Sequence, residues 1–258
     1  MPTLPKRIAA GFHRAMLPWL LVLTCLALLT ATNAQAQRFG RRFIEQNTPP
    51  ATEFIAARWH FGTNGAIGHM GWSHNYPESD RNFNNFIRRA TDIDVEVESY
   101  RIVELGSAEV FEYPFAYISE PGEMALTDAE VENLREFIAR GGFVLVDDFD
   151  GPWQLATFRS EIRRTFPGRD LIRLDPSHPV FNTFFPLESL QGMSPYVPGG
   201  EINYLALLND DGSVAILAGH NNDLANFWEW YDQPQMPLKP STDAFRLGTN
   251  SAIYSLTH

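Results

Sequence analysis

Residues 126–151 read LTDAEVENLREFIARGGFVLVDDFDG, and this stretch decides the fold class. Thr127 and Glu130 stand at the spacing of a capping box, in which each satisfies a free backbone N–H at a helix start. Val131, Leu134, Phe137 and Ile138 then share one helical face, and Gly141 is the stop. Phe143–Val146 is an uninterrupted apolar run, the pattern of a parallel strand covered on both faces. Asp147-Asp148-Phe149-Asp150-Gly151 follows directly. A capped helix feeding a fully buried strand is the repeating unit of an α/β sheet.

The flanking sequence continues the alternation. Phe54–Phe61 (FIAARWHF) reads as a first strand. Gly62, Gly65, Gly68 and Gly71 come next, at every third residue. Pro77–Thr91 places Phe83, Phe86, Ile87 and Ala90 on one helical face. Asp92–Tyr100 alternates Ile93, Val95 and Val97 with acidic residues, which predicts a half-exposed edge strand. Phe115–Ser119 is a short apolar strand, and Leu155–Phe166 an amphipathic helix carrying Phe158, Ile162 and Phe166. Ile202–Leu208 and Val214–Ala218 are two strands joined around Asn209-Asp210-Asp211-Gly212, and Ala244–Leu256 is a closing helix. The expectation is one α/β domain over residues 52–258, a three-layer sandwich with a mostly parallel sheet.

The amino-terminal end has a different logic. Lys6, Arg7 and Arg14 precede an apolar run from Leu17 to Leu29, and Ala34-Gln35-Ala36 follows. That order predicts a signal peptide over residues 1–36, cleaved before Gln37, and a periplasmic or secreted product. The run is shorter than the roughly 20 residues that span a bilayer, so no stable membrane insertion is expected after cleavage. Residues 37–51, with Arg38, Arg41, Arg42 and Pro49-Pro50, read as a flexible linker. The one cysteine, Cys25, lies within the apolar run, and Thr24 before it does not suit a lipoprotein box. The mature chain then has neither disulfide nor thiolate nucleophile.

Charge removes one class of function. The 258 residues carry a formal charge of −11, and loss of the three basic residues in the leader leaves −14. Such a surface does not track a phosphate backbone, so no nucleic-acid partner is expected.

In open α/β sheets ligands lie beyond the carboxyl ends of the strands. That rule selects Gly62–Trp72, Ser119–Gly122, Asp147–Trp153 and Gly219–Asp223. Asp147, Asp148 and Asp150 after the central strand suit general acid work or a cation, but Asp also serves as a helix cap. The glycine stretch has neither the spacing nor the lysine of a phosphate loop, and reads as a lid or plain loop. His69, His74, His178 and His220 with an aspartate are the donors a metal could use, yet no tight ligand spacing is present. No metal and no cofactor is therefore expected. His178, between Pro176 and Pro179, suits a fixed turn whose ring holds the next segment by a hydrogen bond. Ser119 lacks a partner base in the local sequence. Trp153 and the other aromatics could stack on sugars, although core packing is the commoner role.

Several blocks of residues carry a family likeness. They are Phe111–Ile118, Leu126-Thr127-x-x-Glu130, Leu134-Arg135-x-Phe137-Ile138-x-x-Gly141-Gly142-Phe143, Asp147-Asp148 and Phe158-Arg159-x-Glu161-Ile162. The series continues through Phe166-Pro167, His178–Phe181, Asn222-Asp223-Leu224 and Arg246-Leu247-Gly248-x-Asn250. Together these blocks resemble a bacterial family of unknown function, DUF4159; Gly62–Trp72 is less typical of it, and nothing is carried over to that segment. The family is similar to the class I glutamine-amidotransferase-like superfamily, flavodoxin-like in topology, and to trehalose-utilisation-like proteins. By that resemblance Asp147-Asp148 stands where amidotransferases keep a nucleophilic cysteine. A carboxylate cannot form the thioester of glutamine hydrolysis, so ammonia transfer is excluded.

Two functions stay open. One is a module binding a small polar ligand or an envelope protein, with Glu120, Asp150, Trp153, Asn222 and Asp223 lining the site. The other is a carbohydrate-processing hydrolase or isomerase with Asp148 as acid or base, Asp147 beside it, and His178, Glu120 or Asp223 assisting.

Overall fold

A computed structural model of the chain describes residues 47–65, 71–187, 189–191 and 200–258. The expected leader and most of the linker, together with Gly68 and His69, lie outside the described residues. Seven strands form one sheet: β1 (Ala56–His60), β2 (Tyr100–Glu104), β3 (Phe115–Ser119), β4 (Phe143–Phe149), β5 (Ile172–Arg173), β6 (Asn203–Leu208) and β7 (Val214–His220). Their order is β2-β1-β3-β4-β7-β6-β5. The first five in that order are mutually parallel; β6 and β5 extend the edge antiparallel. The 2-1-3-4 start is the flavodoxin-like arrangement, and its order reverses between β1 and β3.

Helices cover both faces. On one side lie α1 (Glu78–Ala90), α4 (Leu224–Trp230) and α5 (Leu238–Thr257), packed on Phe115, Tyr117, Phe143 and Leu145. On the other lie α2 (Asp128–Ala139) and α3 (Gly151–Thr165), reached through Phe137 on Trp59 and Phe158 on Phe149. The capping box forms as read: Thr127 accepts from the Glu130 N–H, and the Glu130 carboxylate accepts from the Thr127 N–H at 2.7 Å.

Three expectations change. Asp92–Tyr100 is no strand; the edge strand begins at Tyr100. The Ser99 side chain accepts from the Glu96 N–H, and the Ser99 N–H returns to the Glu96 carbonyl, closing a turn that prevents extended pairing. Of the alternating apolar side chains there, Val95 is the buried one. The central strand continues past Val146 to Phe149, so Asp147 and Asp148 belong to it rather than follow it. Helix α3 starts at Gly151, four residues earlier than expected, with Pro152 in its first turn where a missing N–H is harmless. The described end of the linker is tied down: Asn47 donates to the Glu98 carbonyl and its own carbonyl accepts from Arg101.

Candidate functional site

The carboxyl ends of β1, β3, β4 and β7 share one backbone property. Asn75, Glu120, Asp148 and Asn221 have φ of 61°, 51°, 60° and 65°, the left-handed region that side chains normally avoid. They are the non-glycine residues with positive φ among those described; Glu120, Asp148 and Asn221 lie at or just beyond the ends of β3, β4 and β7, and Asn75 lies in the loop that follows β1. Strain of that kind persists only where surrounding contacts enforce it.

The enforcing contacts begin at Arg58. A charged residue in the middle of an apolar strand must find partners, and this one does. Its guanidinium, 1% exposed, meets Asp80 at 2.7 Å and Ser79 at 2.9 Å, and stacks 4.6 Å over the Tyr117 ring. It also donates to the carbonyls of Trp72 and His74, at 3.1 and 3.2 Å. The loop after β1 is thereby pinned to the sheet, with His74 at its tip.

His74 Nδ1 lies 2.7 Å from Asp148 Oδ2 and 3.3 Å from Glu120 Oε1. Asp148 reaches this position because the β4–β7 register slips between Val146 and Phe149, an irregularity that re-aims a side chain. Glu120 arrives from the end of β3 and rests on Gly71, where an added Cβ would lie 2.8 Å from the Glu120 Cβ. Glycine is what lets the loop pass. The imidazole is half exposed and joins the buried carboxylates to solvent.

The charges are strongly coupled. Hydrogen bonds to Asp148 and then to Glu120 raise the His74 pKa to about 10, so the ring is cationic at neutral pH. Burial raises Asp148 despite that partner. Burial and the Asp148 charge push Asp147 up to about 7. Asp223, which caps α4 by accepting from the Asn226 N–H, is pushed by burial and both aspartates to about 8. Carboxyl groups held neutral beside an ionised one form a site that attracts positive charge or donates protons.

The candidates from sequence separate clearly. Asp148 and Glu120 meet, and Asp223 is electrostatically joined to them. Asp147 points into the interior, where it accepts from the Tyr117 hydroxyl and the N–H groups of Leu224 and Ala225. Its work is to fix α4 to the sheet. Asn222 is fully buried beside the Tyr204 hydroxyl. Asp150 precedes α3 and makes no side-chain cap bond, while Trp153 on the first turn is 54% exposed. His178 is elsewhere. Its Nδ1 accepts from the Val180 N–H at 3.3 Å, the turn-holding role, and its ring lies 6.3 Å from Tyr254. Tyr254 bonds Val214, the first residue of β7, so His178 sits at the amino end of the parallel strands, opposite Asp148.

Two functional residues escaped sequence reasoning. His74 stood among the possible metal donors but was set aside for want of local spacing; its partners are supplied by topology. Arg58 was visible as a lone charge in FIAARWHF. One donor atom each from His74, Glu120 and Asp148 lies within 4.8 Å of the others, a spacing at which the three could hold a metal ion. A cavity of about 670 Å³ at the amino end, lined by Arg135, Phe166, Arg169, Asn209 and His258 among others, gathers no such convergence.

The model of a family described as a domain of unknown function (DUF4159) matches residues 62–256, a span that holds His74, Glu120, Asp148 and Asp223. No curated protein matches the chain.

Proposed function

The chain belongs to the DUF4159 family, and from that premise we propose that it is a binding module for a small polar ligand, taken up at the carboxyl end of the sheet. The observation that carries this reading is the convergence of His74, Glu120 and Asp148 from three strand ends onto one half-exposed imidazole. Ligand sites of open α/β sheets lie at this end, beside the point where strand order reverses, here between β1 and β3. Four adjacent strained positions give the site the rigidity that recognition needs. A recessed cluster of charges suits a small ligand better than an envelope protein.

The strand order also supports a relationship to the class I glutamine-amidotransferase-like proteins, with Asp147-Asp148 in the place of their cysteine. Without that sulfur, ligand binding is the inherited part and acyl transfer is lost.

Thermal unfolding of the full-length chain against a panel of sugars, amino sugars and divalent cations tests the reading. A ligand of the site raises the melting temperature of the wild type and leaves Asp148→Asn unmoved. If nothing shifts the wild type, or a ligand shifts both proteins alike, the site is not where we place it.

A second reading is favoured by Asp223. A carboxyl group with a pKa of about 8 beside an aspartate paired with imidazolium is an acid and a base in one place. Exposed Trp153 and the likeness to trehalose-utilisation-like proteins point the chemistry toward carbohydrate. Turnover of a glycoside or sugar that disappears in both Asp148→Asn and Asp223→Asn would make the protein an enzyme.

We further propose that the protein works outside the cytoplasm, in the periplasm or beyond. Among the described residues no helix is long and apolar enough to cross a membrane. Mass spectrometry of the exported protein should find Gln37 at the amino terminus; an intact Met1 refutes cleavage there.

A further inference from the structure

We infer that His74, Glu120 and Asp148 bind one divalent transition-metal ion of the Zn²⁺ or Mn²⁺ kind. The inference rests on the ligand-site reading above and names the class of ligand.

The donor set comes first. Once the ion displaces the Nδ1 proton, one imidazole nitrogen with two carboxylates is a mixed N/O set, which suits first-row transition ions. Mg²⁺ and Ca²⁺ take oxygen ligands almost exclusively. Three protein donors leave further positions of a tetrahedral or larger shell open to water or to a second ligand. The half-exposed ring marks the side from which these would enter.

Distances agree. Bonds of about 2.1 Å to a common ion put tetrahedral donors about 3.4 Å apart. The three donor atoms lie within 4.8 Å of one another, and the two contacts of His74 Nδ1 are 2.7 and 3.3 Å. Side-chain torsions alone bridge that difference. The backbone is already committed: Arg58 holds the His74 carbonyl, and Glu120 and Asp148 sit in enforced left-handed conformations.

A separate observation shows coordinating capacity left unused. Glu120 Oε2 is buried and has no hydrogen-bond partner. Buried polar atoms are almost always satisfied, so an unmet carboxylate oxygen on one of the three donor residues is an exception that a bound ion would resolve. The surface pair His60–Glu104, 2.8 Å apart but exposed and without a second carboxylate, has none of these features.

Calorimetric titration of the full-length, tag-free, chelator-treated chain with ZnCl₂, MnCl₂, MgCl₂ and CaCl₂ decides the matter. The expected result is one Zn²⁺ or Mn²⁺ per chain, bound at least about tenfold more tightly than Mg²⁺ or Ca²⁺. His74→Gln and Glu120→Gln should each weaken that binding by about 10- to 100-fold, and His60→Gln should leave it unchanged. Circular dichroism confirms that each variant is folded. The visible absorption of the Co²⁺-loaded wild type, expected to be that of a four- or five-coordinate ion with a nitrogen ligand, reads the site without any substitution.

No Zn²⁺ or Mn²⁺ binding, preference for Mg²⁺, or equal affinity in all variants overturns the inference. The broader reading fails separately. If a sugar or other organic ligand stabilises wild type but not Asp148→Asn while no metal binds, the ligand site stands and its metal falls.

Discussion

His74 Nδ1 and Asp148 Oδ2 lie 2.7 Å apart although 74 residues separate them in the chain. The contact joins the loop after the first strand to the end of the fourth, and it makes the imidazole a cation at neutral pH. Removing the carboxylate removes the main cause of that shift. In Asp148→Asn the His74 pKa, followed by NMR of the ring protons, should fall from about 10 toward the ordinary value near 6.5. It should stop short of it, because Glu120 still accepts a hydrogen bond. An unchanged titration would mean that the pair does not form in solution.

His74, Asp147, Asp148 and Asp223 bind protons more tightly when folded than when unfolded, and this fixes the sign of the pH dependence. Asp147 and Asp223 ionise near pH 4 in the unfolded chain, but near 7 and 8 in the folded one. They therefore lower stability as pH rises from about 4 to 8. His74, with its raised pKa, contributes stability that is complete below about 6.5 and gone once pH passes 10. All three slopes point the same way. The metal-free protein should melt at a higher temperature at pH 5.5 than at pH 8.5, and Asp223→Asn should flatten the part of the slope below 8. A melting temperature rising across that interval would contradict the coupled cluster.

Arg58 makes a different kind of prediction, since its value is structural. Arg58→Met leaves the Asp80 side chain buried without its partner, a change that costs about 3–5 kcal/mol. It also frees the carbonyls of Trp72 and His74, so any ligand of His74 should bind more weakly in proportion. Arg58→Lys should recover little, because one ammonium cannot reach both carboxylate oxygens, Ser79 and two carbonyls. Urea unfolding checks the first claim; a double variant with Asp80→Asn should regain part of the loss.

How far the sequence carried the reading depends on the range of the interactions. The capped helix 128–139 and the apolar strand after it were legible because a capping box and a buried run are local patterns. Asp92–Tyr100 misled because apolar alternation also arises where a loop sends single side chains such as Val95 into a core. The strand-end rule located Glu120, Asp148 and Asp223 correctly at one end of the sheet. It could not divide Asp147 from Asp148, because the register slip that turns one inward and the other outward has no signature in Val-Asp-Asp-Phe. His74 was hidden for the same reason: its partners are neighbours only once β1, β3 and β4 lie side by side.

Gly71 tests whether the loop's close approach matters to the site or only to packing. An alanine there must displace Glu120, whose Cβ would be 2.8 Å from the new methyl and whose carboxylate would be nearer still. Overpacking of this kind costs about 1–3 kcal/mol. The carboxylate can move away only by leaving His74, so Gly71→Ala should lower the His74 pKa and weaken ligand binding together. Glu120→Gln should reproduce both effects without the steric cost. The two variants therefore differ in melting temperature but agree in ring titration. If Gly71→Ala destabilises the protein and leaves the His74 titration unchanged, the glycine serves packing alone and Glu120 is held by something other than this loop.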